Sequence, residues 1–210
     1  MEVLQGTLSS AKPLMQISVE FEYHIIRMAL GHEKISGFGS NFRLYEYIRI
    51  SFGLWNAPVT FQREINMSVQ RLPGLKVVMD SQVSIDNDEG MFVVAYIDDI
   101  LIATEGCLDN HCKQGSEVCR LIMDDKMCLG IYKGVSDCTE TTFLGFVVSR
   151  SVLTIDTEKV DAIVDWPQPQ SRKKVQQLLG PRDFHRQFSQ NFTAIVSPIT
   201  DLLKQDEEFN

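Results

Sequence analysis

Residues 91–104 read MFVVAYIDDILIAT, and the fold turns on this stretch. Met91 to Tyr96 is a continuous apolar run rich in β-branched and aromatic residues, and Ile100 to Ala103 is a second. Short apolar runs of this kind predict strands buried on both faces. Between them stand Asp98 and Asp99. Two strands with almost nothing between them make a hairpin, and aspartate is a natural turn residue. The turn thereby presents two carboxylates at the end of a buried sheet. About 4 Å apart, two such charges repel by roughly 1 kcal/mol in water and by roughly 4 kcal/mol at an effective dielectric of about 20. A bound divalent cation removes that cost, and Mg²⁺ is commonly held by one or two carboxylates together with substrate phosphates. The pair reads either as a metal site for phosphoryl-transfer chemistry or as a plain polar turn.

The rest of the composition bounds the surroundings of this hairpin. A chain of 210 residues holds one large domain or two small ones, and at 44% hydrophobic residues it can bury a core. The five cysteines, Cys107, Cys112, Cys119, Cys128 and Cys138, form no C-x-x-C pair, which excludes the usual zinc patterns. An odd count without a signal peptide points to reduced thiols in the cytoplasm or nucleus. No apolar stretch reaches membrane-spanning length, so no membrane partner is expected. The net charge of −8 gives no support to nucleic-acid binding, which draws on Lys and Arg. The one dense basic run, Arg172-Lys173-Lys174, is equally a solvated helix face. No internal repeat or low-complexity segment is present.

Working outward, Leu14 to Phe21 alternates as a strand, and so does Tyr45 to Ile50. Gly53 permits a tight bend. Asn56 is a candidate N-cap with Pro58 in the first helical turn. Phe61, Ile65, Val69 and Leu72 then recur at helical spacing and predict one buried face, ended by Pro73-Gly74. Residues 75–90 read as an acidic loop. Asp86, Asp88 and Gly90 hint at a calcium loop, but the glycine is one position early and the closing glutamate is missing. Residues 113–126 predict a helix with Val118, Leu121 and Ile122 inward. Thr157 is a candidate cap for a helix with Val160, Ile163 and Val164 inward, closed by Trp166-Pro167. Ser171 caps another helix with Val175, Leu178 and Leu179 buried, stopped by Gly180-Pro181.

Tyr96-Ile97-Asp98-Asp99, in its setting VVAYIDDILIAT, resembles the polymerase box of reverse transcriptases of gypsy-type LTR retrotransposons. Phe52, Gly53, Leu54, Asn56, Ala57, Pro58, Phe61 and Gln62 match that family's F-G-L-x-N-A-P-x-x-F-Q without a gap. Tyr23, His24, Ile26 and Arg27 match its G-Y-H-Q-I-R. Phe143-Leu144-Gly145 matches the F-L-G that grips the primer strand, and Ser197 to Lys204 is similar to A-P-L-T-D-L-L-K. The resemblance runs from about residue 3 to residue 204. It implies an α/β (α+β) fold: a reverse-transcriptase palm with an antiparallel sheet backed by helices, then a helical thumb, with the fingers largely missing. The palm would span residues 1–148 and the thumb or connection helices 149–210. No protease, RNase H or integrase region is expected within the chain. The implied function is RNA-directed DNA polymerisation by two-metal nucleotidyl transfer. Asp98 and Asp99 would be the catalytic metal ligands, with Mg²⁺ or Mn²⁺ as cofactor. Gln62, Tyr96, Phe52 and Gly53 would serve nucleotide binding. The implied partners are an RNA or DNA template-primer and deoxynucleoside triphosphates.

The sequence departs from that pattern at two positions that carry chemistry. Counting back from Tyr23, the family's first catalytic aspartate falls on Ser18, within Ile17-Ser18-Val19. Two-metal sites hold ions about 3.5–4 Å apart, and a neutral serine hydroxyl is a poor ligand for them. Glu20 lies on the same strand face but about 6.6 Å further along. Losing the third carboxylate predicts a rate lower by about a thousandfold, which is roughly 4 kcal/mol in the barrier. The arginine that helps hold the incoming triphosphate is replaced by Gly39. Lys133, near the family's L-N-P-E-K-C, reads as a phosphate contact, a general acid or a surface lysine. The alternative to an active polymerase is therefore a catalytically inactive retrotransposon relic that binds nucleic acid or protein. A third reading, an unrelated metal-dependent phosphotransferase, requires the ungapped match at residues 52–62 to be accidental.

Overall fold

The structure is a computed structural model that describes residues 13–20, 22–72, 83–86 (backbone only), 90–130, 132, 134–149, 153–180 and 191–204. Lys133, singled out in the sequence, lies outside the described residues. The chain divides into two compact units: Met1–Leu144 with Val148–Val152, and Gly145–Val147 with Leu153–Asn210.

The first unit is built on an antiparallel sheet in which the hairpin of residues 91–104 lies next to the first strand. Its order is β4 (Val83–Asp86), β5 (Met91–Tyr96), β6 (Asp99–Thr104), β1 (Leu14–Glu20) and β7 (Cys128–Leu129), with β8 (Val135–Cys138) also pairing with β1. Every pairing named is antiparallel. Within the stretch 75–90 read as an acidic loop, Val83–Asp86 is a strand, which corrects that reading at these four residues; residues 75–82 and 87–89 lie outside the described residues. Val83 and Ile85 alternate with polar residues, and the open edge of β5 supplies backbone partners, so the segment pairs Val83 with Ala95 and Asp86 with Phe92.

Two helices complete the core. Helix α1 (Ala57–Val69) turns Phe61, Ile65 and Val69 inward, as their spacing predicts. Helix α2 (Leu108–Asp124) starts earlier than the sequence predicts and buries Val118, Leu121 and Ile122. These side chains pack in one cluster with Ile17 and Val19 of β1, Val93 and Ala95 of β5, and Ile100 and Ile102 of β6. Burying each of these large side chains is worth about 1.5–3 kcal/mol. Gly115 of α2 marks close packing, because a Cβ there would meet the tip of Met15 at 2.8 Å. Asn56 occupies the N-cap position of α1 without a side-chain cap hydrogen bond, since its backbone is already helical. The expected strand at 45–50 shrinks to a two-residue pairing, β2 (Phe38–Gly39) with β3 (Leu44–Tyr45), and a single bridge from Arg27 to Arg49.

One polar knot lies inside this unit. His111 is 0% exposed, and its Nδ1 is 2.8 Å from the buried Thr104 hydroxyl. His111 Nε2 and the side-chain amide of Gln114 have no hydrogen-bond partner in the structure.

Strands β9 (Glu140–Phe143), β10 (Phe146–Ser149) and β11 (Leu153–Ile155) follow. The β9–β10 connection is two residues long, with φ of +53° at Leu144 and +79° at Gly145. Two successive left-handed residues make a type I′ turn, where glycine is strain-free and leucine is not.

The second unit carries α3 (Thr157–Val164), α4 (Arg172–Leu179) and α5 (Phe192–Asp201). Ser171 caps α4, accepting from the Lys174 N–H, and Val175 and Leu179 are buried. The cap of α3 is Asp156, which accepts from the Glu158 N–H, and not Thr157. Val160, Ile163 and Val164 are exposed, Val164 at 75%, which corrects the inward face predicted for them. Their helical spacing is sound, but among the described residues nothing buries that stripe. Among the described residues no helix is long and apolar enough to cross a membrane.

Candidate active site

The sheet register brings the residues singled out in the sequence to one place. In the β1–β6 pairing, Ser18 faces Asp99 across the two strands. The Val19 N–H donates to the Asp98 carbonyl at 2.7 Å, making 19 and 98 the hydrogen-bonded pair. Ser18 and Asp99 therefore occupy the adjacent non-hydrogen-bonded position, where opposing side chains stand closest and on the same face. Tyr96 is opposite Asp99 in the β5–β6 pairing and shares that face too. Ile17, Val19, Ala95 and Ile100 point the other way, into the core. The alternation that fills the core thus expels Ser18, Asp99 and Tyr96 onto one row. Ser18 is 6% exposed, Asp98 and Asp99 are half-buried, and Tyr96 is exposed.

The turn itself is Ile97-Asp98, one residue earlier than the two aspartates suggest, and Asp99 opens β6. A two-residue hairpin needs positive φ at its first turn position, which usually selects Asn, Asp or Gly. Here that position is Ile97, at φ +51°. A β-branched residue in this region is a true outlier and stores about 1–3 kcal/mol of strain. The Ile97 side chain packs against the core cluster, which offsets part of that cost.

Gln62, on the first turns of α1, reaches this turn. Its Oε1 accepts from the Ile97 N–H at 2.7 Å, and its Nε2 donates to the Ala95 carbonyl at 3.0 Å and to Asn66 Oδ1 at 2.8 Å. The backbone decides which end of the amide is which: an N–H faces only oxygen, and a carbonyl faces only NH₂. Both donors of Nε2 are spent, so in this arrangement Gln62 reaches a nucleotide only as an acceptor. Asn66 is absent from the sequence-derived site. Its signal is a polar i,i+4 partner for Gln62 flanking a buried stripe.

Phe52 is exposed and meets Tyr23 edge-on at 5.2 Å and His24 at 5.3 Å, and Tyr23 in turn meets Phe61 of α1 at 5.8 Å. Gly53 has φ +88° with open space at its Cβ position, as a tight bend requires. Gly39 lies in β2, opposite Leu44, and brings no charge. The Glu20 side chain lies over Gly130, whose Cβ position is 3.1 Å from Glu20 Oε1. Among the described residues no group of three or more His, Cys, Asp and Glu side chains converges as a metal cage. The two consecutive carboxylates, Asp98 and Asp99, nevertheless suit one hard cation that keeps water or phosphate oxygens in its remaining positions.

A cleft of about 540 Å³ adjoins α1 and is lined by Arg27, His32, Arg63, Glu64 and Trp55, the last 94% exposed. An acidic chain thus still gathers cations and an aromatic ring on one surface.

Comparison with known proteins identifies the family and the fold. The family described as reverse transcriptase (RNA-dependent DNA polymerase) matches residues 9–148. The chain is 31% identical over 202 residues to the retrovirus-related Pol polyprotein from transposon gypsy of Drosophila melanogaster, covering 96% of this chain and 18% of that protein. It is 25% identical over 205 residues to the transposon Tf2-3 polyprotein of Schizosaccharomyces pombe, covering 98% of this chain and 14% of that protein. Among solved structures, it resembles the foamy viral protease-reverse transcriptase in complex with double-stranded DNA. That match has a TM-score of 0.78 and 22% identity, over 99% of this chain and 34% of that one. The same viral protein in complex with an RNA/DNA hybrid matches with a TM-score of 0.77 and 22% identity, over 97% and 26% of the two chains.

Proposed function

The chain belongs to the reverse transcriptase (RNA-dependent DNA polymerase) family, and from that premise we propose that it performs, or descends from a domain that performed, nucleotidyl transfer on a nucleic-acid template-primer. The observation that carries this reading is the register of β1 on β6. It sets Ser18 beside Asp99 on one face at the end of the sheet, with Asp98 on the adjoining turn. In the proposed reaction the primer 3′-oxygen forms a bond to the α-phosphorus of a deoxynucleoside triphosphate, and the bond to pyrophosphate breaks. A divalent cation, Mg²⁺ or Mn²⁺, would lower the pKa of the attacking hydroxyl and neutralise the triphosphate. Asp98 and Asp99 would hold it.

This chain's own residues then divide the remaining work. Tyr96 presents an aromatic ring beside the carboxylates, and Gln62 offers a single acceptor toward a nucleotide. Phe52 and Gly53 shape the approach to α1. The cationic and aromatic cleft beside α1 suits a nucleic-acid strand, since stacking and phosphate contacts need no net positive charge on the whole chain. The viral relatives, solved with DNA and with an RNA/DNA hybrid, support the same class of partner. The five free cysteines suit a reducing compartment, cytoplasm or nucleus.

A second reading is favoured by one observation, the serine at position 18. Without a third carboxylate the site holds a cation less firmly, and the chain then acts as a catalytically silent module that binds nucleic acid or protein. Primer extension on an RNA template with Mg²⁺ or Mn²⁺ separates the two readings, comparing the native chain with Ser18→Asp and Asp98→Asn. Extension by the native chain that vanishes in Asp98→Asn supports the active enzyme. Extension only after Ser18→Asp assigns a sound scaffold lacking one ligand. Silence in all three favours the binding module.

A further inference from the structure

Gln62 carries an arrangement that goes beyond its expected part in nucleotide binding. It bonds the backbone on both sides of Tyr96: the Ala95 carbonyl before it and the Ile97 N–H after it. Those two groups bracket the entry to the strained turn. The i,i+4 contact from Asn66 consumes the second Nε2 proton and fixes the amide plane. Thirty-three and thirty-five residues separate Gln62 from its two backbone partners, so the contacts tie helix α1 to the hairpin tip.

We propose that Gln62, oriented by Asn66, is a positioning residue: its amide holds Ile97 in the left-handed conformation and so sets where Asp98 and Asp99 stand. The inference rests on reading Asp98 and Asp99 as the metal-holding pair. The physical argument is short. Left-handed backbone at a β-branched residue is uphill, and the hairpin relaxes toward a wider loop unless something holds it. Core packing of the Ile97 side chain is one restraint. The Gln62 amide is the second, and the one that acts on the backbone itself. Asp98 follows Ile97 directly, so any relaxation at Ile97 displaces the Asp98 carboxylate relative to Asp99.

The test uses the full chain and three variants: Gln62→Met, Asn66→Leu and Ile97→Gly. Methionine keeps the length of the side chain and the helix, but accepts and donates almost nothing. The first readout is amide hydrogen exchange at Ile97, with the amide shifts of Asp98 and Asp99. Gln62→Met is expected to speed Ile97 exchange about tenfold, the equivalent of one lost hydrogen bond. It is also expected to move the Asp98 and Asp99 shifts, leaving Val93 and Leu101 unchanged. Asn66→Leu gives the same change at smaller size. In an Ile97→Gly background the turn needs no restraint, so Gln62→Met no longer moves Asp98 and Asp99. Unchanged Ile97 exchange in Gln62→Met, or a full effect persisting with Ile97→Gly, overturns the proposal.

The second readout is Mn²⁺ affinity, followed by the electron paramagnetic resonance of the free ion. A loss of about tenfold in Gln62→Met, at unchanged melting temperature, is expected for a positioning role. Binding by the native chain that Gln62→Met leaves unaltered overturns that role. A native chain that binds no Mn²⁺, or binds it equally after Asp98→Asn, instead overturns the functional reading, and the exchange data still decide whether Gln62 holds the turn.

Discussion

Ser18 stands directly across the strand pair from Asp99, at a non-hydrogen-bonded position where the two side chains share one face. An aspartate at 18 would therefore project beside Asp99 without any movement of the backbone. Ser18→Asp should lower stability in chelator, because a third carboxylate enters a nearly buried site beside two others. The penalty is about 1–4 kcal/mol. Mg²⁺ should restore it. Thermal melts with and without the ion measure this, and a melting temperature indifferent to Mg²⁺ in Ser18→Asp would count against a metal site here.

Asp98→Asn removes one of the two carboxylates and keeps the shape of the turn. Metal-free stability should hold or rise slightly, since a repulsion between neighbours is relieved. Mn²⁺ or Mg²⁺ binding should disappear. Retained affinity in a calorimetric titration would sink the assignment of Asp98.

His111 gives the fold a pH dependence. Burial holds its pKa below the ordinary histidine value of about 6.5, while the nearby Asp137 and the Leu14 backbone pull partly the other way. The unfolded chain then takes up a proton at this position at a higher pH than the folded chain does. Stability is complete above the unfolded value and is lost as pH falls through that value toward the folded one. Denaturant midpoints at pH 7.5 and 5.5 should show the loss, and His111→Phe should flatten that part of the profile. An equal slope in the variant would place the acid sensitivity elsewhere.

The ends of α1 and α2 are joined by one ion pair. Arg71 Nη2 is 2.5 Å from Asp125 Oδ2 and also donates to the Leu121 carbonyl at 3.0 Å. The buried Ser68 hydroxyl contacts both Asp125 and the Glu64 carbonyl, and its single proton serves only one of them at a time. Solvent reaches both charged side chains, so Asp125→Ala should cost only about 1 kcal/mol. Urea unfolding measures it. A cost of several kcal/mol would mean that the pair organises the helix packing and does more than tie its edge.

What could be read from the chain follows the range over which each signal acts. The runs around Asp98 and Asp99 report burial on both faces, which is a local property, and the hairpin forms there. Phe61, Ile65, Val69 and Leu72 report one helical face and are all buried. Matching Tyr23 to its family motif singled out Ser18, and the strand register sets that residue opposite Asp99. The failures are equally physical. Val160, Ile163 and Val164 have the spacing of a core stripe, but spacing does not say whether anything covers it. Val83–Asp86 looked like a loop because its flanks are acidic, and the open edge of β5 outweighed them. Asn56 and Thr157 have cap chemistry without cap geometry. The Gln62 contacts with Ala95 and Ile97 cross more than thirty residues, a distance at which no local pattern speaks.

Position 18 has one more property. Its strand is held from both sides by main-chain bonds: the neighbouring Val19 N–H to Asp98 on one flank, and the Ser18 carbonyl from the Gly130 N–H, at 2.7 Å, on the other. None of these bonds involves the side chain. The sheet grips this residue as a socket grips an interchangeable bit, so architecture and chemistry are inherited separately there. A side chain can be exchanged at this point while the scaffold is kept, and Ser18→Asp would enter a backbone already in place.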